Sequence, residues 1–301
     1  MTFRFIEDHR QEHPVRLMCR VPGVSPSGYD AWRSRPESAR TVANRRLLAA
    51  VRRLHAQHRG RYGSPRIHRA CPIPRRDVGN ADRAALRAEG DTVNRGRIER
   101  LMRRHGLRGA AAHRFRPVTT DSRHGLPVAP DLLGQDFQAP APNQVWLSDI
   151  TYIATGEGWL YLAAVLDLAT RKVVGWAMRD HLRAELASTA LLMAAQRQRP
   201  AKGLIAHSDR GSQYASGSYR ELLAAWGMRQ SMSRKGCCYD NAPMESLFHT
   251  LKVELVHRER FATREAAQRE LFAYLEGYYN RQRLHSALGY RTPEQAEQQA
   301  A

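Results

Sequence analysis

Apolar residues at Met244, Leu247, Phe248, Leu251 and Leu255 recur at three- and four-residue spacing, which predicts a helix with one face on the core. Asn241 stands where an N-cap would, and Pro243 is tolerated that early in a helix. Glu245 borders the apolar stripe, and Lys252 lies two turns, roughly 10 Å, further along the same side. Upstream the period changes. Gln144 to Ile153, Trp159 to Leu166 and Val173 to Met178 are rich in β-branched and aromatic residues, with a tight turn at Gly156 and Gly158 between the first two. They read as an antiparallel meander. A helix over about 183–198, an apolar run from Gly203 to Ala206 that reads as a buried strand, a helix near 218–226, a short strand at 228–232 and a helix over 263–279 complete this half.

The first 110 residues are helical by pattern. Pro14 can open a helix through Val15, Leu17, Met18 and Val21; Gly23 breaks it, and Ser25-Pro26-Ser27 starts another carrying Tyr29 and Trp32. Two helices joined by a turn in a basic context suggest a helix-turn-helix DNA-binding module, with a plain helical hairpin as the rival reading. Pro22, near the end of the first helix, would weaken the turn geometry. Residues 41–58 predict an amphipathic helix with Leu47, Leu48, Val51 and Leu54 inside and Arg45, Arg46, Arg52 and Arg53 outside. A further basic helix over 93–105 is closed by Gly106. Between these two, residues 71–84 carry two prolines and a glycine without any period, and read as an inserted surface loop ahead of a helix at Ala85–Gly90.

Charge sharpens the division. Residues 1–120 hold 27 Lys and Arg against 10 Asp and Glu, a surplus of 17 out of a net charge of +19. Codon bias explains why only four of the basic residues are Lys, but not why the charge sits in one half. A basic N-terminal part on a near-neutral remainder implies a polyanion-binding region attached to a working domain. The expected layout is a DNA-binding region over 1–110, a Pro/Gly/Ala-rich linker over 111–142, a catalytic core over 143–293 and a tail over 294–301. Cys19, Cys71, Cys237 and Cys238 form no Cys-x-x-Cys pair, which points to reduced thiols, a cytoplasmic protein and no zinc module; a DNA-binding protein there is expected on the nucleoid. No apolar run approaches the roughly 18 residues that a membrane span needs.

Three acids carry the candidate chemistry. Asp149 lies in the middle of a strand, where a lone carboxylate is disfavoured and something should compensate it. Asp209 ends the Gly203–Ala206 run, and Glu245 opens the helix described above. Three such carboxylates can hold two Mg²⁺ ions about 3.5–4 Å apart, an arrangement that breaks and joins phosphodiesters.

The contexts of these acids resemble the D,D-35-E core of retroviral integrases and transposases, and 35 residues separate Asp209 from Glu245. The sequence is more closely similar to the second-frame (OrfB) transposases of bacterial insertion sequences. The similarity is carried by Trp146-Leu147-Ser148-Asp149-Ile150-Thr151-Tyr152, by the run from His207 to Tyr214, by Asp240 to Ser246 with Leu251-Lys252, and by Tyr279 to Tyr290. It spans nearly the whole chain.

The resemblance implies a ribonuclease-H-like mixed sheet flanked by helices, preceded by an all-α helix-turn-helix-type region. It implies a transposase that cleaves element ends and transfers the 3′-OH into target DNA. Asp149, Asp209 and Glu245 would be both catalytic and metal-binding, holding two Mg²⁺ ions for which Mn²⁺ can substitute. Lys252, Arg66, Arg95 and Arg97 would contact DNA, and His207, Gln213, Tyr214 and Asn241 would support the site or position substrate. Expected partners are element-end and target DNA, further copies of the chain on that DNA, and an upstream-frame (OrfA-type) product as partner or fusion; no membrane is involved. Two alternatives stay open: a ribonuclease-H-type nuclease, and a non-catalytic DNA-binding remnant that represses transposition, which Pro22 and the 71–84 segment keep in view.

Overall fold

The structure is a computed structural model that describes residues 2–71, 93–111, 125–235 and 238–300. The chain divides into two compact units, Met1–Arg59 with Ala70–Arg108, and Gly60–Arg69 with Gly109–Ala301.

In the first unit, helices Thr2–Asp8, Val15–Arg20 and Pro26–Ser34 bury Ile6, Met18, Cys19 and Tyr29 together. The Ser25 hydroxyl caps the third helix by accepting from Gly28 N–H at 3.0 Å. The second helix ends at Arg20, so Pro22 falls in the turn and removes no helical hydrogen bond; Gly23 and Val24 N–H close the turn onto Arg20 and Cys19 carbonyls. The basic helix Ala39–Gln57 turns Leu47, Val51 and Leu54 inward as its period requires, with Ala50 beside them, while Leu48, expected inside, is half-buried at the edge of that face. Helix Arg95–Arg104 buries Ile98, Leu101 and Met102 and is tied to it by Arg97 Nε, which donates to Asn44 Oδ1 at 2.9 Å. The expected loop at 71–84 lies outside the described residues apart from Cys71, and so does the expected helix at 85–90. Cys19 and Cys71 are buried free thiols. No described helix is long and apolar enough to cross a membrane.

The second unit is built on a five-stranded mixed sheet in the order β3-β2-β1-β4-β5. Its strands are β1 (Val145–Thr155), β2 (Gly158–Asp167), β3 (Val173–Arg179), β4 (Ile205–Ser208) and β5 (Arg229–Met232). The first three form the expected antiparallel meander, and β4 and β5 add parallel to β1 on its other side. With flanking helices, this is the ribonuclease-H-like arrangement.

Helix Ala184–Gln198 covers the sheet with a face of small residues: Ala187, Ala190 and Ala194 are buried. It approaches so closely that a Cβ on Gly175 of β3 would lie 2.3 Å from the Ala190 carbonyl oxygen, so only glycine fits there. Leu186, Leu191, Trp146, Val165 and Tyr219 complete this core.

Helix Ala242–Glu254 follows a 3₁₀ turn at Cys238–Asn241. Helix Arg264–Phe272 continues into wider π turns over Ala273–Tyr279, where a single helix over 263–279 is expected. Residues expected to trail as a tail form the helix Pro293–Ala300. Its start carries ordinary helix signals: Thr292 Oγ1 accepts from Gln295 N–H at 3.2 Å, and proline stands at the first helical position. Lys172 Nζ pairs with Glu297 at 2.5 Å and ties it to the sheet side.

Candidate active site

Strand register brings two of the acids together. β1 and β4 are parallel, and Ser148 pairs with Ser208. The next positions on the two strands are therefore Asp149 and Asp209, on neighbours about 4.8 Å apart. β4 ends there, and the chain turns at Gly211 into the short helix Ser212–Ala215. Asp209 Oδ1 accepts from Gly211 N–H at 2.9 Å, and Asp149 Oδ1 from Ile150 N–H at 2.7 Å. A carboxylate crevice at the carboxyl end of a parallel strand pair is where open α/β sheets place their sites.

Electrostatics connects the third acid. Burial pushes the Asp149 carboxyl well above the ordinary carboxylate range, and the Asp209 charge pushes it further; the Ile150 N–H bond opposes this, Glu245 adds to it, and Lys252 opposes it. Glu245, in the first turn of Ala242–Glu254, has its own proton affinity raised by desolvation. Asp149 thus feels both other acids, Asp209 more than Glu245, and Lys252 opposes them from the same helix as Glu245. Desolvation lowers the Lys252 pKa while Asp149 raises it. Its ammonium stands 4.9 Å from the centroid of the Tyr152 ring, so the side chain is half-buried and held against β1.

The donor set suits a hard divalent cation. Among the described residues, no group of three or more His, Cys, Asp or Glu side chains is placed to hold a metal ion. Mg²⁺ does not require such a cage: it takes one or two carboxylates and completes its shell with water and substrate phosphate. A cation there would reverse the repulsion that raises the Asp149 pKa.

The supporting residues divide by what they touch. Tyr214 is buried, and its pKa is raised well above the usual range by burial, then by Asp149 and Asp209. Its hydroxyl has no hydrogen-bond partner among the described residues. Asn241 occupies the N-cap position, but its side chain makes no cap; Nδ2 donates to the Ser148 carbonyl at 3.2 Å, tying the start of the Glu245 helix to β1. His207 spans β4 and β5, with Nδ1 2.8 Å from Ser231 Oγ and Nε2 3.3 Å from Ser233 Oγ. Burial lowers its pKa against the opposing pull of Asp131, so it serves as a neutral cross-strand bridge. Gln213 Nε2 donates to the Leu182 carbonyl at 3.1 Å.

The DNA-facing candidates are placed as follows. Arg95 is exposed at the start of its helix. Arg97 is half-buried on Asn44. Arg66 belongs to the second unit, where Nε donates to the Leu284 carbonyl at 3.0 Å and Nη1 lies 3.6 Å from Glu254. Asp167 is buried in β2 and accepts from Asn143 N–H at 2.7 Å and from Thr170 N–H and Oγ1 at 2.8 Å, so it organises a turn away from the acids.

Two features escaped the sequence. Asp240, buried just ahead of the Glu245 helix, receives Arg234 Nη2 at 2.7 Å, Arg234 Nε at 3.0 Å and Gln135 Nε2 at 2.8 Å. Its motif was legible; Arg234 and Gln135 carried no signal. At the helix's other end Glu254 is buried against Arg283 (Nη2–Oε1 3.0 Å) and Tyr274 Oη (2.9 Å), while Arg61 Nε donates to the Glu254 carbonyl at 3.1 Å. Tyr62 Oη donates to the Gln282 carbonyl at 3.0 Å and accepts from Leu284 N–H at 2.9 Å. Residues 60–69 and the run from Tyr279 to Tyr290 therefore anchor the far end of the Glu245 helix.

The integrase core domain family matches residues 139–238 and 226–293, and an HTH-like domain matches 83–115, later in the basic region than the Val15–Ser34 helix pair. The transposase InsF for insertion sequence IS3A of Escherichia coli (strain K12) is 43% identical over 299 residues, 99% of this chain and 98% of that protein. The insertion element IS600 uncharacterized 31 kDa protein of Shigella sonnei is 45% identical over 276 residues, 92% of this chain and 96% of that one. Among solved structures, the HTLV-2 integrase catalytic core domain in complex with magnesium is similar at 15% identity over 53% of this chain and 99% of that chain, with a TM-score of 0.41.

Proposed function

The chain belongs to the IS3-type insertion-sequence transposases, and we propose that it cleaves the ends of its element and joins the freed 3′-OH to target DNA, with Asp149, Asp209 and Glu245 as the metal-binding catalytic acids. The observation that supports this reading is the β1–β4 register, which sets Asp149 beside Asp209, with the Glu245 helix tied to β1 through Asn241 and the Ser148 carbonyl; burial, and then the Asp209 and Glu245 charges, raise the Asp149 pKa in keeping with it.

Asp149, Asp209 and Glu245 would hold two Mg²⁺ ions, which supply Lewis acidity and lower the pKa of bound water. In the first reaction a water oxygen bonds phosphorus as the bond to the 3′-oxygen at the element end breaks; the 3′-oxygen takes up a proton and water gives one up. In the second, that 3′-OH attacks a target phosphorus in line, and the target's own 3′-oxygen leaves with a proton. One phosphodiester forms for each broken, so the joining step needs no ATP. Lys252 holds a substrate phosphate beside Asp149, and its Tyr152 contact fixes where that charge sits. Asn241 and Asp240 hold the start of the catalytic helix so that Glu245 meets the β1–β4 acids. The basic first unit binds the element ends, with Arg95 as an exposed contact.

Purified Glu245→Gln and Asp209→Asn variants should retain DNA binding and lose cleavage of element-end DNA by at least about a thousandfold, on the order of 4 kcal/mol of transition-state stabilisation. Cleavage by Glu245→Gln at the wild-type rate would overturn the assignment.

A further inference from the structure

An exposed aromatic side chain ends a line of contacts that begins at the acids. Lys252, which acts on Asp149, stands over the Tyr152 ring. The Tyr152 ring meets Trp159 at 4.9 Å with an interplanar angle of 80°. Trp159, at the start of β2, is 49% exposed. A half-exposed indole offers a partner a large apolar face whose burial is favourable.

The hairpin holding it is clamped. Gly156 N–H donates to the Phe261 carbonyl at 2.9 Å, Thr155 bridges Phe261, and a Cβ on Gly156 would lie 2.5 Å from the Ala262 carbonyl oxygen. Arg264 N–H donates to Glu157 Oε2 at 2.8 Å, and Arg264 Nε to the Trp159 carbonyl at 3.1 Å. The indole is therefore presented on a fixed backbone, edge-to-face with the Tyr152 ring that carries Lys252, and with the Arg264 guanidinium bonded to the Trp159 carbonyl.

We propose that Trp159, backed by Tyr152, is a stacking platform for an unpaired base of the DNA strand whose phosphates Lys252 and Arg264 receive. This rests on the DNA reading above and adds a base contact to it. Aromatic faces flanked by cations suit single-stranded nucleic acid, because every base offers a π-face while the phosphates need positive charge. A solvent-exposed indole on a rigid hairpin loses little freedom when a base covers it. At the site of strand cleavage such a stack holds the end of the strand apart from its complement and leaves the scissile phosphate to the acids.

The test uses the full chain and two 15-nucleotide probes of equal charge, oligothymidine and the same backbone with abasic sites throughout. Wild type should bind oligothymidine about tenfold more tightly than the abasic strand, equivalent to about 1.4 kcal/mol. Trp159→Ala should bind both equally, at the wild-type abasic affinity, and Trp159→Phe should keep most of the discrimination. Oligothymidine should also quench a component of the intrinsic fluorescence that Trp159→Phe lacks, a readout that stands even where the Ala variant fails to fold. Equal binding of both probes by wild type, discrimination retained in a folded Trp159→Ala, or quenching unchanged in Trp159→Phe would each overturn the platform. Failure of wild type to bind either probe would overturn the DNA reading on which it stands.

Discussion

The Lys252 ammonium stands 4.9 Å above the Tyr152 ring and acts on Asp149 at the same time. The sequence alone places Lys252 two turns from Glu245 on an open side; the fold adds a strand residue that holds it. A cation over an exposed or half-exposed ring stabilises by about 0.5–1 kcal/mol, so Lys252→Ala should lower the melting temperature by no more than a few degrees while lowering strand transfer strongly. The salt dependence of end binding should weaken by roughly one counterion. Lys252→Arg should recover part of the activity, since a point contact to phosphate depends on charge. A large loss of thermal stability with full activity per folded molecule would assign Lys252 to the fold.

Burial and the neighbouring Asp209 charge make the ionised form of Asp149 unfavourable. Its folded-state pKa is raised, so its contribution to stability is present at low pH, where it is protonated, and is lost as pH rises through the folded value. At neutral pH without divalent cation, Asp149→Asn should therefore melt higher than wild type. Mg²⁺ should raise the wild-type melting temperature and leave Asp149→Asn nearly unmoved; binding at a hundredfold excess over Kd adds about 2.7 kcal/mol. Thermal melts at several Mg²⁺ concentrations decide this without any activity assay.

Glu254 and Arg283 form a buried ion pair. Burial alone would lower the Arg283 pKa, but Glu254 reverses this and raises it. Removing Arg283 leaves the buried Glu254 charge to Arg66 at 3.6 Å and the Tyr274 hydroxyl at 2.9 Å, so the cost falls toward the lower end, about 3 kcal/mol, of that for a broken buried pair. Arg283→Ala should lower the melting temperature on the order of 10 °C for a unit of this size. The double variant Glu254→Gln with Arg283→Met should recover much of that loss. An additive double variant would show that the pair is not the source.

His285 is buried edge-on to Tyr279, with ring centroids 4.7 Å apart. Burial pushes its pKa down to about 3, helped by Arg283 and Arg66. A depressed folded-state pKa means that stability is fully present above the unfolded value of about 6.5 and falls as pH drops from there toward 3. Melting temperatures measured across that window should fall less steeply for His285→Gln than for wild type. Parallel curves would clear His285 of the effect.

The sequence by itself determined the strands and the Glu245 helix and put forward the three acids, because period-two and period-3.6 patterns and contiguous motifs are local properties. It also located the basic half of the chain. Only the tertiary structure decided that Ser148 pairs with Ser208 and so sets Asp149 beside Asp209, since register between strands separated by a helix depends on the whole sheet. It moved Asn241 from a cap to a tie on β1, because the Ser148 carbonyl is brought within reach of its amide. It gave Arg66 to Glu254 and Leu284, residues some 190 to 220 positions away, for which no local pattern exists. It left Trp159 exposed where alternation alone would have counted it as one more strand residue, because exposure is decided by what packs over a face and not by the face itself.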